Sequence, residues 1–173
     1  MATAHGIVIL DEKPAKFSIT ARVVPEGEGH LYLKGKVSSG FPQTFGPVVA
    51  AIRKLSDLME LDMDCADIML RLETPHDYPL AGGSYALAAG MSILAAADSR
   101  IIPSSNCYTG CLDAEGLVTP VEDIGLKRRG AGGFGYRRLF LPRGQIDLFS
   151  TVIAQCPCGS LADAYGITFW NEK

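Results

Sequence analysis

From Ser84 to Ala97 the chain is apolar on every side: Tyr85, Ala86, Leu87, Ala88, Ala89, Met91, Ile93, Leu94, Ala95 and Ala96 leave no polar stripe at helical spacing. A helix lying on a surface keeps one wet face, so a helix of this kind belongs in the middle of a domain with other elements packed around it. Its small residues permit close packing. A chain of 173 residues can supply those elements within one domain, burying roughly two thirds of the surface its unfolded form exposes. With 47% hydrophobic and 20% charged residues it has neither the polar excess of a disordered chain nor an apolar run long enough to cross a bilayer.

The segments on either side indicate what packs on that helix. Gly6 to Leu10, Lys16 to Val24 and Leu31 to Val37 are rich in branched and aromatic residues, with alternation at Phe17, Ile19, Ala21 and Val23. They read as strands of an antiparallel meander, separated at Pro14 and at Pro25-Glu26-Gly27-Glu28-Gly29. From Gln43 to Leu61 the apolar residues Phe45, Val48, Val49, Ile52, Leu55, Leu58 and Met59 recur three or four apart, the stripe of a helix lying on the sheet. Ile68 to Leu72 reads as a further strand, and Glu73 to Gly83 as a loop. Cys107 to Leu112 and Leu117 to Pro120 form a hairpin across Asp113-Ala114-Glu115-Gly116. Ile124 to Gly130 is expected as a short helix, Arg137 to Leu141 as a buried strand, Gln145 to Ala154 as a helix, and Ser160 as the cap of a last helical turn or two. No internal repeat or linker interrupts this order, so residues 1–173 read as one mixed α+β domain.

Ser84 stands at the mouth of the apolar helix, after Gly82 and Gly83, and Lys127 lies in Ile124-Gly125-Leu126-Lys127. A serine hydroxyl is a poor nucleophile at neutral pH unless a neighbour takes its proton, and a neutral lysine amine can do so. If Ser84 is the first residue of the helix, free N–H groups and the helix dipole favour its alkoxide and an oxyanion, and the two glycines let a substrate backbone come close. Lys127 must then be buried, so that its pKa falls well below the ordinary lysine value. An ordinary N-cap serine and a solvated lysine are the alternatives. A His76-Asp77 dyad serving Ser84 is a weaker arrangement, because adjacent residues rarely orient each other.

Net charge is −3, and the one basic cluster, Lys127-Arg128-Arg129 with Arg137-Arg138, is too short for a nucleic-acid surface; its arginines read as a solvated helix face. Met1 to His5 carries no secretory signal, and five cysteines without a disulfide-like framework fit a reducing, cytoplasmic setting. Cys107 and Cys111, and Cys156 and Cys158, lack the two-residue gap typical of a zinc knuckle, so no metal is expected.

These elements also carry a resemblance. The Gly-Gly-Ser opening of the helix, Tyr108-Thr109-Gly110, the hairpin to Gly116-Leu117-Val118-Thr119-Pro120-Val121, Ile124-Gly125-Leu126-Lys127 and Leu139-Phe140-Leu141-Pro142 resemble, in this order, the proteolytic domain of Lon proteases. Upstream, Val23-Val24-Pro25-Glu26-Gly27-Glu28-Gly29-His30-Leu31 and the helix from Gln43 are similar to that domain's first half, so the likeness spans residues 6–168. It implies a Ser-Lys dyad peptidase in which Ser84 attacks the scissile carbonyl, Lys127 moves the proton, Thr109 orients the lysine amine, and Gly82 and Gly83 support the nucleophile. It also implies an unfolded polypeptide as substrate and assembly as a ring, a homohexamer. Neither a nucleic acid nor a membrane is expected as a partner.

The chain departs from the family at identifiable places. Asp-Gly-Pro-Ser-Ala-Gly appears here as Ala81-Gly82-Gly83-Ser84-Tyr85-Ala86, with Asp77 as the nearest acidic substitute in the loop, and Thr-Gly-Glu appears as Thr109-Gly110-Cys111. Cys107 and Cys111 read either as small apolar packing residues or as thiols beside the dyad. No Gly-x-x-x-x-Gly-Lys-Ser/Thr phosphate loop is present, and Gly130-Ala131-Gly132-Gly133-Phe134-Gly135 lacks the lysine, so no ATP cofactor is expected in this chain. The expected activity is therefore that of a peptidase domain without its own ATPase, standing alone, cut from a longer protein or meeting an ATPase as a separate subunit. The alternative is a catalytically inactive Lon-like domain serving assembly or binding.

Overall fold

The computed structural model describes residues 1–75 and 78–169. His76 and Asp77, and with them the weaker His-Asp arrangement and the acidic substitute in the loop, lie outside the described residues. Two long strands, β1 (Ala2–Leu10) and β2 (Lys13–Val24), pair antiparallel along their whole length from Ala2↔Ala21 to Leu10↔Lys13. The turn between them is Asp11-Glu12, both left-handed at φ 48 and 62, which is the two-residue hairpin whose twist matches the flanking strands. Pro14, expected as a separator, sits inside β2 opposite Ile9. A proline is tolerated there if that pair exchanges no hydrogen bond, because the missing N–H is then never asked to donate.

The remaining strands extend this hairpin on both sides. β3 (Leu31–Lys34) and β4 (Asp67–Glu73) join beyond β2, and β5 (Asn106–Tyr108), β8 (Arg138–Pro142) and β9 (Ala154–Cys158) join beyond β1. The order is β3-β4-β2-β1-β5-β8-β9, antiparallel at β2/β4 and parallel at β3/β4, β1/β5, β5/β8 and β8/β9. Cys107 to Leu112 is not one strand: the chain leaves the sheet at Thr109-Gly110, and β6 (Cys111–Leu112) pairs with β7 (Val118–Thr119) as a separate hairpin. Its turn is the expected one, with Gly116 left-handed at φ 82 and the Asp113 carboxylate accepting from the Glu115 and Leu117 N–H groups.

Helix α2 (Ala86–Ala97) lies on β1 and β2 and is covered by α1 (Phe41–Leu58) and α4 (Leu161–Phe169). Every residue of α2 from Ala86 to Ala96 is buried, as its unstriped sequence requires. On the opposite face of the sheet, α3 (Ile124–Gly133) closes a smaller core of Ile7, Cys107, Ala131, Leu139, Leu141 and Ile153. The arrangement is a mixed sheet between two helical layers, an α+β fold. Among the described residues, no helix is long and apolar enough to cross a membrane.

The helix expected over Gln145 to Ala154 does not form. A single 3₁₀ turn ends at Gln145, and the chain returns through an open loop to β9. Side chains hold the loop open: Gln145 accepts from Val121 N–H at 2.9 Å and donates to its carbonyl at 2.8 Å, while Gln155 accepts from Asp147 N–H at 2.9 Å and donates to its carbonyl at 2.7 Å. β9 begins only at Ala154, the last residue of the expected helix, where it pairs with β8. The last helix does begin after Ser160, whose hydroxyl accepts the Asp163 N–H at 3.0 Å, and it runs on to Phe169.

Candidate active site

Ser84 lies two residues before α2 begins, not at its first position: Tyr85 occupies the N-cap and Ser84 sits in the turn preceding it. Main-chain bonds fix that turn against the segment leaving β5. Gly110 N–H donates to the Ser84 carbonyl at 3.1 Å, and Leu87 N–H donates to the Gly110 carbonyl at 3.0 Å. So close an approach needs glycine at 110, where a Cβ would stand 2.7 Å from Val118 Cγ1. The main-chain N–H groups of Ser84 and Tyr85 have no acceptor among the described residues.

Gly82 is left-handed at φ 70 with open space around the position of a side chain. Gly83 is different. A Cβ there would lie 3.0 Å from Cys111 Sγ, so the room its missing side chain leaves is occupied by a thiol rather than held open for substrate. Tyr85, the bulky residue after the nucleophile, points into the core: its ring stacks on Phe41 at 5.4 Å and its hydroxyl bonds Thr44 Oγ1 at 2.8 Å.

Lys127 comes to the same place from the other face of the sheet, one helical turn into α3, where its N–H bonds the Asp123 carbonyl at 2.9 Å. It is only 5% exposed. Burial lowers its pKa from the ordinary value, and the neighbouring Cys111, Asp123 and Glu122 oppose that shift. Its amine has no hydrogen bond or ion pair among the described residues. Arg128, expected to be solvated, is also buried: Nε donates to Gln155 Oε1 at 3.0 Å, one terminal nitrogen to the Gln145 carbonyl at 2.9 Å, and the other pairs with Asp147 at 3.3 Å. These contacts anchor α3 to the loop after β8, and through Gln145 to Val121. Nothing in the local sequence marks Gln145 for that task, since its partners are main-chain groups distant along the chain.

Ser84 and Lys127 line one cavity of about 460 Å³, together with Gly82, Gly83 and Cys111, the end of β1 from Val8 to Leu10, the loop from Tyr78 to Ala81, and Pro120 to Asp123. Ser84 is half-buried there, and no hydrogen bond joins its hydroxyl to the lysine amine among the described residues. Thr109 is fully buried with Oγ1 lacking any partner among the described residues, so it is not bonded to Lys127. A buried hydroxyl without a partner is uncommon. Cys111 is half-buried, with its thiol pKa raised by burial and pulled down by Lys127, whereas Cys107 lies fully inside the core.

Among the described residues, no group of three or more histidine, cysteine, aspartate or glutamate side chains could hold a metal ion. No protein-family model and no curated protein sequence matches the chain.

Proposed function

We propose that the chain is a Ser-Lys endopeptidase of the Lon type that hydrolyses unfolded polypeptide. The observation that carries this reading is the meeting of Ser84 and a buried, ion-pair-free Lys127 in one cavity, although the two come from opposite faces of the sheet. A lysine buried only for packing would cost stability; burial that lowers its pKa raises the share of neutral amine able to take a proton.

In the proposed reaction Ser84 Oγ bonds to the scissile carbonyl carbon as its proton passes to Lys127 Nζ. The carbonyl oxygen gains the negative charge and turns toward the free N–H groups of Ser84 and Tyr85 at the positive end of α2. As the C–N bond breaks, Lys127 returns the proton to the leaving amine. Water then attacks the ester carbonyl and gives a proton to Lys127. Ser84 recovers that proton when the acid departs. Thr109 Oγ1, buried without a partner, would orient the lysine amine.

The chain would act on chains already unfolded, in the cytoplasm, as a homo-oligomeric ring of six copies, with an ATPase supplied separately if at all. A second reading, an inactive Lon-like module for assembly or binding, draws on one observation: Ser84, Lys127 and Thr109 make no hydrogen bond to one another. Hydrolysis of a casein-like unfolded substrate separates the two. Wild type should cleave it and should bind a fluorophosphonate probe at Ser84, while Ser84→Ala and Lys127→Ala should do neither. Equal background in all three proteins would sink the peptidase reading.

A further inference from the structure

The proposed hydrolysis leaves one thiol of the cavity without a task. Cys111, the first residue of β6, lines the space of about 460 Å³ that Ser84 and Lys127 share, and a Cβ at Gly83, in the turn before Ser84, would stand 3.0 Å from its Sγ. It is half-buried and open to a small molecule in the cavity, whereas Cys107 and Cys158 are sealed in the core. A cysteine in such a place is inert while protonated, because the thiolate and not the thiol is the nucleophile. Burial holds the Cys111 thiol above its ordinary pKa, Lys127 draws it down, and Glu122 pushes it up. Left to itself at neutral pH, the sulfur keeps its proton.

What sets Cys111 apart is the amine in the same cavity. Lys127 is 5% exposed, lines that cavity and has no hydrogen bond or ion pair among the described residues. Sγ and Nζ are not bonded to each other, yet each shifts the titration of the other. A buried amine driven toward its neutral form, with no partner of its own, accepts a proton from whichever acid the cavity presents, and a thiol is a stronger acid than a serine hydroxyl. We infer that Cys111 is a modification site for low-molecular-weight disulfides, activated by Lys127, and that the mixed disulfide it forms closes the cavity to substrate. In this step Lys127 Nζ takes the Sγ proton and the thiolate attacks one sulfur of the disulfide. The bond from Cys111 Sγ to that sulfur forms as the reagent's own S–S bond breaks, and the departing thiolate recovers the proton from Lys127. Excess thiol reverses the exchange. The modification needs only the thiol and the amine, while its effect on hydrolysis rests on the reading of Ser84 as the nucleophile.

The test uses the full chain carrying Cys65→Ser, because Cys65 is exposed and would react by itself. Glutathione disulfide is the probe, and adducts are located by peptide mass spectrometry. Cys111 should take the adduct at least about tenfold faster than Cys156, which is also half-buried but has Arg138 instead of a base as its charged neighbour. Lys127→Met should slow the reaction at Cys111 about tenfold or more and leave the rate at Cys156 unchanged, a pattern that a merely accessible thiol would not show. Casein hydrolysis should fall in step with occupancy at Cys111 and return with dithiothreitol, and whatever hydrolysis Cys111→Ser retains should ignore the disulfide. No adduct at Cys111, an equal rate in Lys127→Met, or full hydrolysis by the adduct would overturn the inference. A Lys127-dependent adduct in a chain that hydrolyses nothing would instead refute the peptidase reading and leave Cys111 as a modification site.

Discussion

The Tyr85 hydroxyl lies 2.8 Å from the Thr44 hydroxyl, tying the residue that follows Ser84 to the first turn of α1. The same ring stacks on Phe41, so the bulky side chain after Ser84 is a strut of the core instead of an obstruction in the cavity. Burial raises the Tyr85 pKa to about 12, with the Thr44 bond opposing. Tyr85→Phe should cost about 1 kcal/mol, one net hydrogen bond, and Tyr85→Ala about 3–5 kcal/mol through the cavity left behind. The pH dependence has a fixed sign. The unfolded phenol loses its proton first, so the stability Tyr85 contributes is complete below pH 10 and declines as pH rises through 10 toward 12. Urea unfolding of wild type and Tyr85→Phe should therefore converge in that window.

Lys127 should set the acid limb of activity. Its pKa lies below the ordinary 10.5 because it is buried, and only the neutral amine is a base, so kcat/KM should rise with pH and level off above the lowered value. Lys127→Arg, charged at every accessible pH, should lose about 10²–10⁴-fold in kcat/KM. Stability should rise with pH as well. Below the folded pKa both folded and unfolded states carry the charge and burial imposes its full cost; between the folded pKa and 10.5 the unfolded state binds the extra proton and wild type gains stability with pH. Lys127→Met should thus be more stable than wild type at acidic pH, with the difference shrinking as pH rises, measured by urea unfolding across the range.

Local pattern explains why some of this architecture could be read in advance. The all-round apolar surface of α2 announced a central helix, and the turn at Asp113 to Gly116 announced a hairpin, because both signals are complete within a few neighbouring residues. Gln145 to Ala154 misled, since the bonds that hold it open run from Gln145 to the distant Val121 and from Gln155, just past the segment, back to Asp147. Ser84 and Lys127 could be singled out by their place in an ordered series of motifs, but their shared cavity depends on β5 ending at Tyr108, which periodicity does not reveal. Arg128 reads as solvated from its helix alone and is buried only because the loop after β8 folds over it.

Thr109 offers a separation of fold from function. Its Oγ1 is buried without a partner, so Thr109→Val removes an unmet polar atom at constant shape and should leave stability unchanged or raise it, by up to about 1–3 kcal/mol. If the hydroxyl orients Lys127 during turnover, the same change should lower kcat about tenfold or more with little effect on KM, and Thr109→Ser should restore most of it. Thermal unfolding beside steady-state kinetics checks both halves, and a Thr109→Val protein of full activity would leave the threonine with no part in orienting the lysine.

Gly83 and Cys111 should behave as one unit. A methyl group at 83 would stand 3.0 Å from Cys111 Sγ but 3.6 Å from Cys111 Cβ, so the obstruction is the sulfur atom and not the chain behind it. Gly83→Ala alone must push the thiol toward the cavity that Ser84 and Lys127 line, and should cost about 1–3 kcal/mol as an overpacked contact while depressing kcat/KM. Cys111→Ala deletes the offending atom. The double variant Gly83→Ala/Cys111→Ala should therefore be more stable than the sum of the two single changes predicts, with a coupling of about 0.5–3 kcal/mol in urea unfolding. Cys111→Ser keeps an atom in the same place and should relieve less of the strain. Additivity in the alanine cycle would mean that the turn before Ser84 yields at Gly83 itself, and the thiol would then have no share in shaping the nucleophile's position.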